Sequence, residues 1–356
     1  MKKTDMHIHT RVYDTNKTTE FLNYLKGKGV EKVSFQTVAT SKDYSNFENL
    51  FALWVKDFYK DMDICVNGSL HEWGPFLEIP YEEQVKWLYA AGCEGMKFLH
   101  MKPTMRKQIG KGLNHPSYDK ALSFMEEKGM FALIHSKDPR SFWHKDQMLP
   151  MQVERGWCYE GKGFISFEDA HRETLEMLDK HPNLKTILAH FFYVSDDIEE
   201  AARVLDTYPN VYYDITPGVE IFENFAKDIP AWREFFIKYQ DRIMFGTDAD
   251  ETFDKETIDD LYALAEGALL SDNPSYVAHC YVDLNVAGLN LPKEAVQKIY
   301  RTNFETFTAG KVNKPNMPLM KEGAKYAYET LLKYPEYEGD AKLFGEFCKQ
   351  ICVISA

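Results

Sequence analysis

The sequence predicts a (β/α)8 TIM barrel with a C-terminal helical extension. Three observations carry this reading: eight short apolar or β-branched runs, amphipathic helical patterns between them, and histidine or aspartate at the ends of four runs. The runs are Asp5–His9, Lys32–Val38, Asp63–Leu70, Gly95–Leu99, Met130–His135, Lys185–His190, Val211–Ile215 and Arg242–Thr247. Polar segments bound each of them, as expected of strands covered by helices. Eight strands alternating with helices pair in parallel through right-handed crossovers. Closing them gives a barrel; an open doubly wound sheet is the alternative. No GxGxxG turn follows the first run, which weakens the dinucleotide-binding version of that alternative.

The helical patterns are plain where they are strongest. Phe47, Leu50, Phe51, Trp54, Val55 and Phe58 recur at three- and four-residue steps and form one apolar stripe. A second stripe runs from Phe167 to Leu178, with Ser166 as N-cap and Asp169 three residues on, an approximate capping box. Ser195 reads as a similar cap before Asp196–Leu205.

The chain's 356 residues suit one barrel with insertions, spanning residues 1–310, and bury a core without disulfides. Residues 311–318, with Pro315 and Pro318, read as a linker into the 311–356 extension. Two helical segments follow, Lys321–Lys333 and Asp340–Cys352. Their apolar residues, Tyr326, Leu331, Leu332, Leu343 and Phe344, are too few for a separate core and are expected to pack on the barrel or a partner subunit.

A net charge of -13 argues against general binding to nucleic acid or to a membrane surface. The six cysteines are scattered, and Cys348 and Cys352 read as packing residues rather than half of a zinc site. The N-terminus lacks the apolar stretch of a signal peptide, and no run approaches membrane-spanning length, so a cytoplasmic location is expected.

Chemistry concentrates at strand ends. Residues two apart on a strand point to the same face, so His7 and His9 can both enter the barrel. An HxH pair alone is a weak signal. Here it ends the first strand, on the side where barrel enzymes gather their catalytic groups. Phe131–Ile134 runs into His135, Ile187–Ala189 into His190, and Met244–Thr247 into Asp248. Burying four such ends without a metal or a dense hydrogen-bond network would be costly. Imidazoles and a carboxylate suit zinc or a similar first-row ion.

These motifs resemble the amidohydrolase superfamily, and within it the amidohydrolase-related branch (amidohydrolase 2) that includes aminocarboxymuconate-semialdehyde decarboxylase. The matching stretches are Asp5-Met6-His7-Ile8-His9, Gly95-Met96-Lys97-Phe98, Leu133-Ile134-His135, Leu188-Ala189-His190-Phe191 and Phe245-Gly246-Thr247-Asp248. Ile299-Tyr300-Arg301-Thr302-Asn303-Phe304 is similar to the helix that closes the family's barrel. The resemblance implies that His7, His9, His135 and Asp248 hold one divalent ion, usually Zn2+, with Mn2+ or Fe2+ as alternatives. It places His190 beside the metal-bound water, or as a ligand of a second metal as in some relatives, and Asp248 could also take a proton from the water and pass it to the leaving group. Lys97 is ambiguous: binuclear relatives carboxylate a strand-four lysine, whereas a single-metal site leaves it free to pair with a substrate anion or a carboxylate. We favour the single metal. Arg11 stands where the polymerase-and-histidinol-phosphatase type carries a third histidine, and Lys97 where the TatD type usually carries glutamate.

Residues 96–114 carry Lys97, Lys102, Arg106, Lys107 and Lys111 without an acidic residue, a local reversal that suggests an anionic substrate. The long segment 136–164 holds Phe142, Trp143, His144, Arg155, Trp157 and Tyr159. Its aromatics serve as loop anchors or stacking surfaces. Arg155 offers a bidentate fork for a carboxylate, and His71, Glu72 and Trp73 follow strand three at the mouth. The leading functional expectation is a metal-dependent hydrolase acting on a small anionic substrate through activated water. Non-oxidative decarboxylation is the alternative, and a metal-binding barrel without catalysis the third. A homo-oligomer is a family habit.

Overall fold

The computed structural model describes residues 1–39, 47–218, 220–280 and 282–353. Eight parallel strands form one sheet in sequential order: β1 (Lys3–Ile8), β2 (Val30–Gln36), β3 (Asp63–Gly68), β4 (Gly95–Phe98), β5 (Phe131–Ile134), β6 (Lys185–Leu188), β7 (Val211–Asp214) and β8 (Ile243–Met244). The ends of the sheet meet through Met6 N–H to Phe245 O (3.1 Å), Asp248 N–H to His7 O (2.8 Å) and His9 N–H to Ala249 O (2.9 Å). The (β/α)8 barrel is therefore closed, and the closing bonds bring the end of β8 against the end of β1.

Side chains from five strands, Met6, Cys65, Phe131, Leu133, Ile187 and Met244, form one cluster with Phe304 and Phe307. Non-adjacent strands can share such a cluster only across the barrel interior. A larger cluster lies between the strands and their helices. Each of the eight expected runs overlaps a strand, most ending one or two residues earlier than read, with β1 and β2 also starting two residues earlier.

Helix Glu48–Phe58 buries Phe47, Leu50, Phe51 and Val55, but Phe58 is exposed. Ser166 caps helix Phe167–Lys180, accepting Asp169 N–H at 3.0 Å while its hydroxyl donates to the Asp169 carboxylate. Ser195 does not cap the next helix. That helix is Ile198–Thr207, and Asp197 accepts Glu200 N–H there. A hairpin, β9 (Tyr276–Cys280) with β10 (Val282–Val286), is inserted after helix Lys255–Leu270. In the sequence only its second strand alternates apolar with polar residues, Val282-Asp283-Leu284-Asn285-Val286.

After β8 a π-helical turn, Lys298–Thr302, lets Ile299 O accept Phe245 N–H at 3.0 Å. Asn303 donates to Gln240 O and Ile243 O, both at 2.7 Å, and fixes the start of β8. Helices Met317–Leu331 and Glu338–Gln350 follow, starting earlier than the sequence suggested, with Pro318 inside the first turn. Phe344 stacks on Phe47 at 4.6 Å. Asn313 binds Glu94 and Cys93 at the barrel's other end. Tyr326, Leu332 and Leu343 are exposed, whereas Leu331 and Phe344 are buried. Among the described residues no helix is long and apolar enough to cross a membrane.

Candidate metal centre at the strand ends

The register between β1 and β2 shifts between Asp5 and Ile8, a bulge of the kind that re-aims side chains beside a site. Both histidines nonetheless turn to one place. His7 Nδ1 lies 2.9 Å from Asp214 Oδ2, and His9 Nδ1 lies 2.5 Å from Gln36 O. Both partners are acceptors, so each imidazole donates its Nδ1–H and presents the Nε2 lone pair inward. Each Nε2 meets the same atom, Asp248 Oδ1, at 3.3 Å from His7 and 2.8 Å from His9. One ligand atom from each of the three groups lies within 4.8 Å of the others.

Backbone geometry enforces the convergence. Asp248 has φ +62°, a left-handed conformation that a non-glycine residue holds only against strain. Gly246 is required beside it, because a Cβ there would lie 2.7 Å from His7 Cβ. Asp5 ties the two strands together by accepting Thr247 Oγ1–H and Tyr262 O–H, both at 2.7 Å. Burial pushes the Asp5 carboxyl up to about 6 against those bonds.

The electrostatics favour cation binding. Burial lowers His7 well below the ordinary histidine value and takes His9 to about 4, so both rings are neutral. Asp248 stays ionised, its carboxyl well below the usual range although burial opposes the charge. Neutral imidazoles and an ionised carboxylate are the forms that bind metals. Asp248 also reaches solvent, with its side chain 37% exposed while His7 is wholly buried. The donor set fits a divalent ion, and His7, His9 and Asp248 could hold one.

His190 and His135 complete a run of rings. His190 lies 5.4 Å from His7 and 4.7 Å from His135 between centroids. His190 through Tyr193 all have φ between +48° and +54°, a left-handed turn that aims the His190 ring, and the His190 backbone N–H donates to Asp214 Oδ1 at 2.7 Å. His135 has its Nε2 on Asp138 at 3.0 Å and stands outside the three-group convergence. Lys97 is buried with Nζ 2.9 Å from His7 Nε2, so its nearest partner is an imidazole rather than a carboxylate. Burial brings Lys97 down to about 7 against the pull of Asp248 and Asp214.

The expected substrate groups are scattered. Arg106 forms a two-bond pair with Glu173 at 3.0 and 3.1 Å, which occupies its fork. Arg155 is exposed with its guanidinium over Trp157, and Trp73 donates to Ala39 O. Glu72 accepts from Tyr118, Tyr81 and His100 at 2.6–2.9 Å. The aromatics of 136–164 pack on one another and on Phe167, as anchors do. Sequence reasoning missed Asp214 and Thr216, although Asp214 ends β7 just as Asp248 follows β8. It also missed Gln36 and Asp138.

A closed barrel with this cluster at its strand ends defines an enzyme of the amidohydrolase superfamily. The family model described as amidohydrolase matches residues 74–305, a stretch that includes His135, His190 and Asp248, and the chain belongs to that family. It is similar to a solved 2,6-dihydroxybenzoate decarboxylase from Rhizobium, at 14% identity over 87% of this chain and 99% of that one, with a TM-score of 0.52. A 4-oxalomesaconate hydratase from Rhodopseudomonas palustris matches at 11% identity, covering 93% and 100%, with a TM-score of 0.50. A structure of an amidohydrolase II matches at 13% identity, covering 86% and 100%, with a TM-score of 0.52. At these identities the likeness is one of fold. No curated protein matches the chain in sequence.

Proposed function

We propose that the protein is a zinc-dependent hydrolase of a small carboxylate-bearing molecule, with His7, His9, His135 and Asp248 around one ion. The carrying observation is that two imidazoles, each with Nδ1–H anchored, aim their Nε2 atoms at one carboxylate oxygen. A bound ion would lower the pKa of a water towards neutrality and polarise the scissile group. Asp248, the solvent-reaching member, takes the proton released by the attacking water and returns it to the leaving group. Thr216 O lies 3.3 Å from His190 Nδ1, which leaves the His190 Nε2 edge to orient substrate or water.

The positive fields that act on the buried rings come from Lys97, Lys102 and Arg11, against those of Asp248 and Asp138. Positive fields of this kind favour an anion at the mouth. Metal analysis of wild type and His7→Ala tests the assignment. We expect about one ion per chain in wild type and its loss in the variant; retained metal and activity would refute it. Release of CO2 from aromatic carboxylates, without turnover of lactones, amides or esters, would replace hydrolysis by decarboxylation.

A further inference from the structure

His135 is held by a chain of contacts that the proposed reaction does not use. Its Nε2 lies 3.0 Å from Asp138 Oδ1, and Asp138 Oδ2 accepts the Tyr159 hydroxyl at 2.5 Å. Asp138 is 3% exposed, so its charge relies on these donors and on Lys102 Nζ at 3.6 Å. An ionised carboxylate only accepts hydrogen bonds. It therefore keeps the His135 proton on Nε2 and leaves the ring's lone pair on Nδ1.

Tyr159 is in turn set by the long segment between β5 and helix Phe167–Lys180. Its ring lies 5.9 Å from Phe142, 5.0 Å from Trp143 and 4.5 Å from Phe164, and its N–H donates to Phe142 O at 2.7 Å. One carboxylate thus joins a strand-end imidazole to the aromatic core of that segment.

We propose that Asp138 is a positioning residue that fixes the tautomer and aim of His135, and that Tyr159 makes the packing of residues 136–164 a condition of that aim. The proposal rests on the reading that His135 faces a metal together with His7, His9 and Asp248. Tyr159→Phe keeps the packed ring and removes only the hydroxyl. Asp138→Asn keeps the shape but lets an amide N–H face His135, so that the opposite tautomer becomes accessible.

The test is a Co2+ titration of the full-length apoprotein, followed by its visible d–d spectrum, for wild type, Y159F, D138N, H135A and H7A. We expect Y159F and D138N to weaken Co2+ binding by about 10- to 100-fold, as is typical when an outer partner of a metal-binding imidazole is lost. D138N should also shift the d–d bands, which a purely structural role would not do, and Y159F should stay folded, its melting temperature lowered by only a few degrees by the lost bond to the buried carboxylate. Wild-type affinity and spectrum in both variants, with Co2+ binding lost in H7A, would overturn the inference and leave the metal reading standing. Wild-type affinity in H135A would also overturn it. Co2+ binding no tighter to wild type than to H7A would overturn the metal reading and this inference with it.

Discussion

The two histidines at the end of β1, His7 within it and His9 just after it, differ in what holds their outer nitrogen. His9 donates to a peptide carbonyl, whereas His7 donates to the buried carboxylate of Asp214. An anionic acceptor makes the opposite nitrogen more basic and fixes its tautomer more firmly. Asp214→Asn should therefore weaken metal binding by about 10- to 100-fold while the fold persists, measured by competition with a chromogenic chelator. Unchanged affinity would mean that Asp214 acts only on the backbone, through His190 N–H. The residues readable in the sequence were those whose signal is local: a histidine or aspartate directly after an apolar run. Their partners were not, because a partner is chosen by closure of the barrel. Arg106 shows the same limit in reverse. Its charge was plain, but Glu173, 67 positions away, decides what the charge does.

Among the elements, helix Glu48–Phe58 carries a testable charge at its first turn. Glu48 is buried, accepts Val38 N–H at 2.9 Å and sits 3.8 Å from Arg11. Burial pushes its carboxyl up to about 8, against the pull of Arg11. A folded-state pKa above the unfolded one means that the native protein holds the extra proton. This contribution is complete below about 4.5 and is lost as pH rises through about 8. Glu48→Gln cannot ionise, so its stability relative to wild type should improve by about 1–3 kcal/mol between pH 5 and pH 9. Urea unfolding of both proteins at the two pH values measures this, and parallel curves would refute it. The barrel strands were readable as elements because each is mostly buried and carries a short apolar or β-branched run between polar segments. The hairpin of β9 and β10 escaped because β9 has no apolar-polar alternation and β10 alternates, unlike the buried runs that mark barrel strands. Ser195 was misread because Asp197 lies two residues on, and its ionised oxygen caps the helix instead.

At the scale of the molecule, the C-terminal helices share the barrel's core. Phe344 and Phe347 are buried, Phe344 is stacked on Phe47 at 4.6 Å, and Phe347 lies 5.8 Å from Phe51. Phe47 immediately precedes the helix whose Glu48 holds Val38, two residues beyond the β2 residue Gln36 that anchors His9. An element outside the barrel thus packs on the support of a candidate ligand. We expect Phe344→Ala to cost about 3–5 kcal/mol, the range for removing a buried phenylalanine. If residues 311–356 unfold with the barrel, the variant melts in one transition, several degrees lower, with calorimetric and van't Hoff enthalpies in the same ratio as in wild type. Differential scanning calorimetry distinguishes this from the alternative. A new low-temperature transition that leaves the main one in place would make the extension a separate unit, and its contact with Phe47 would then contribute nothing to holding His9.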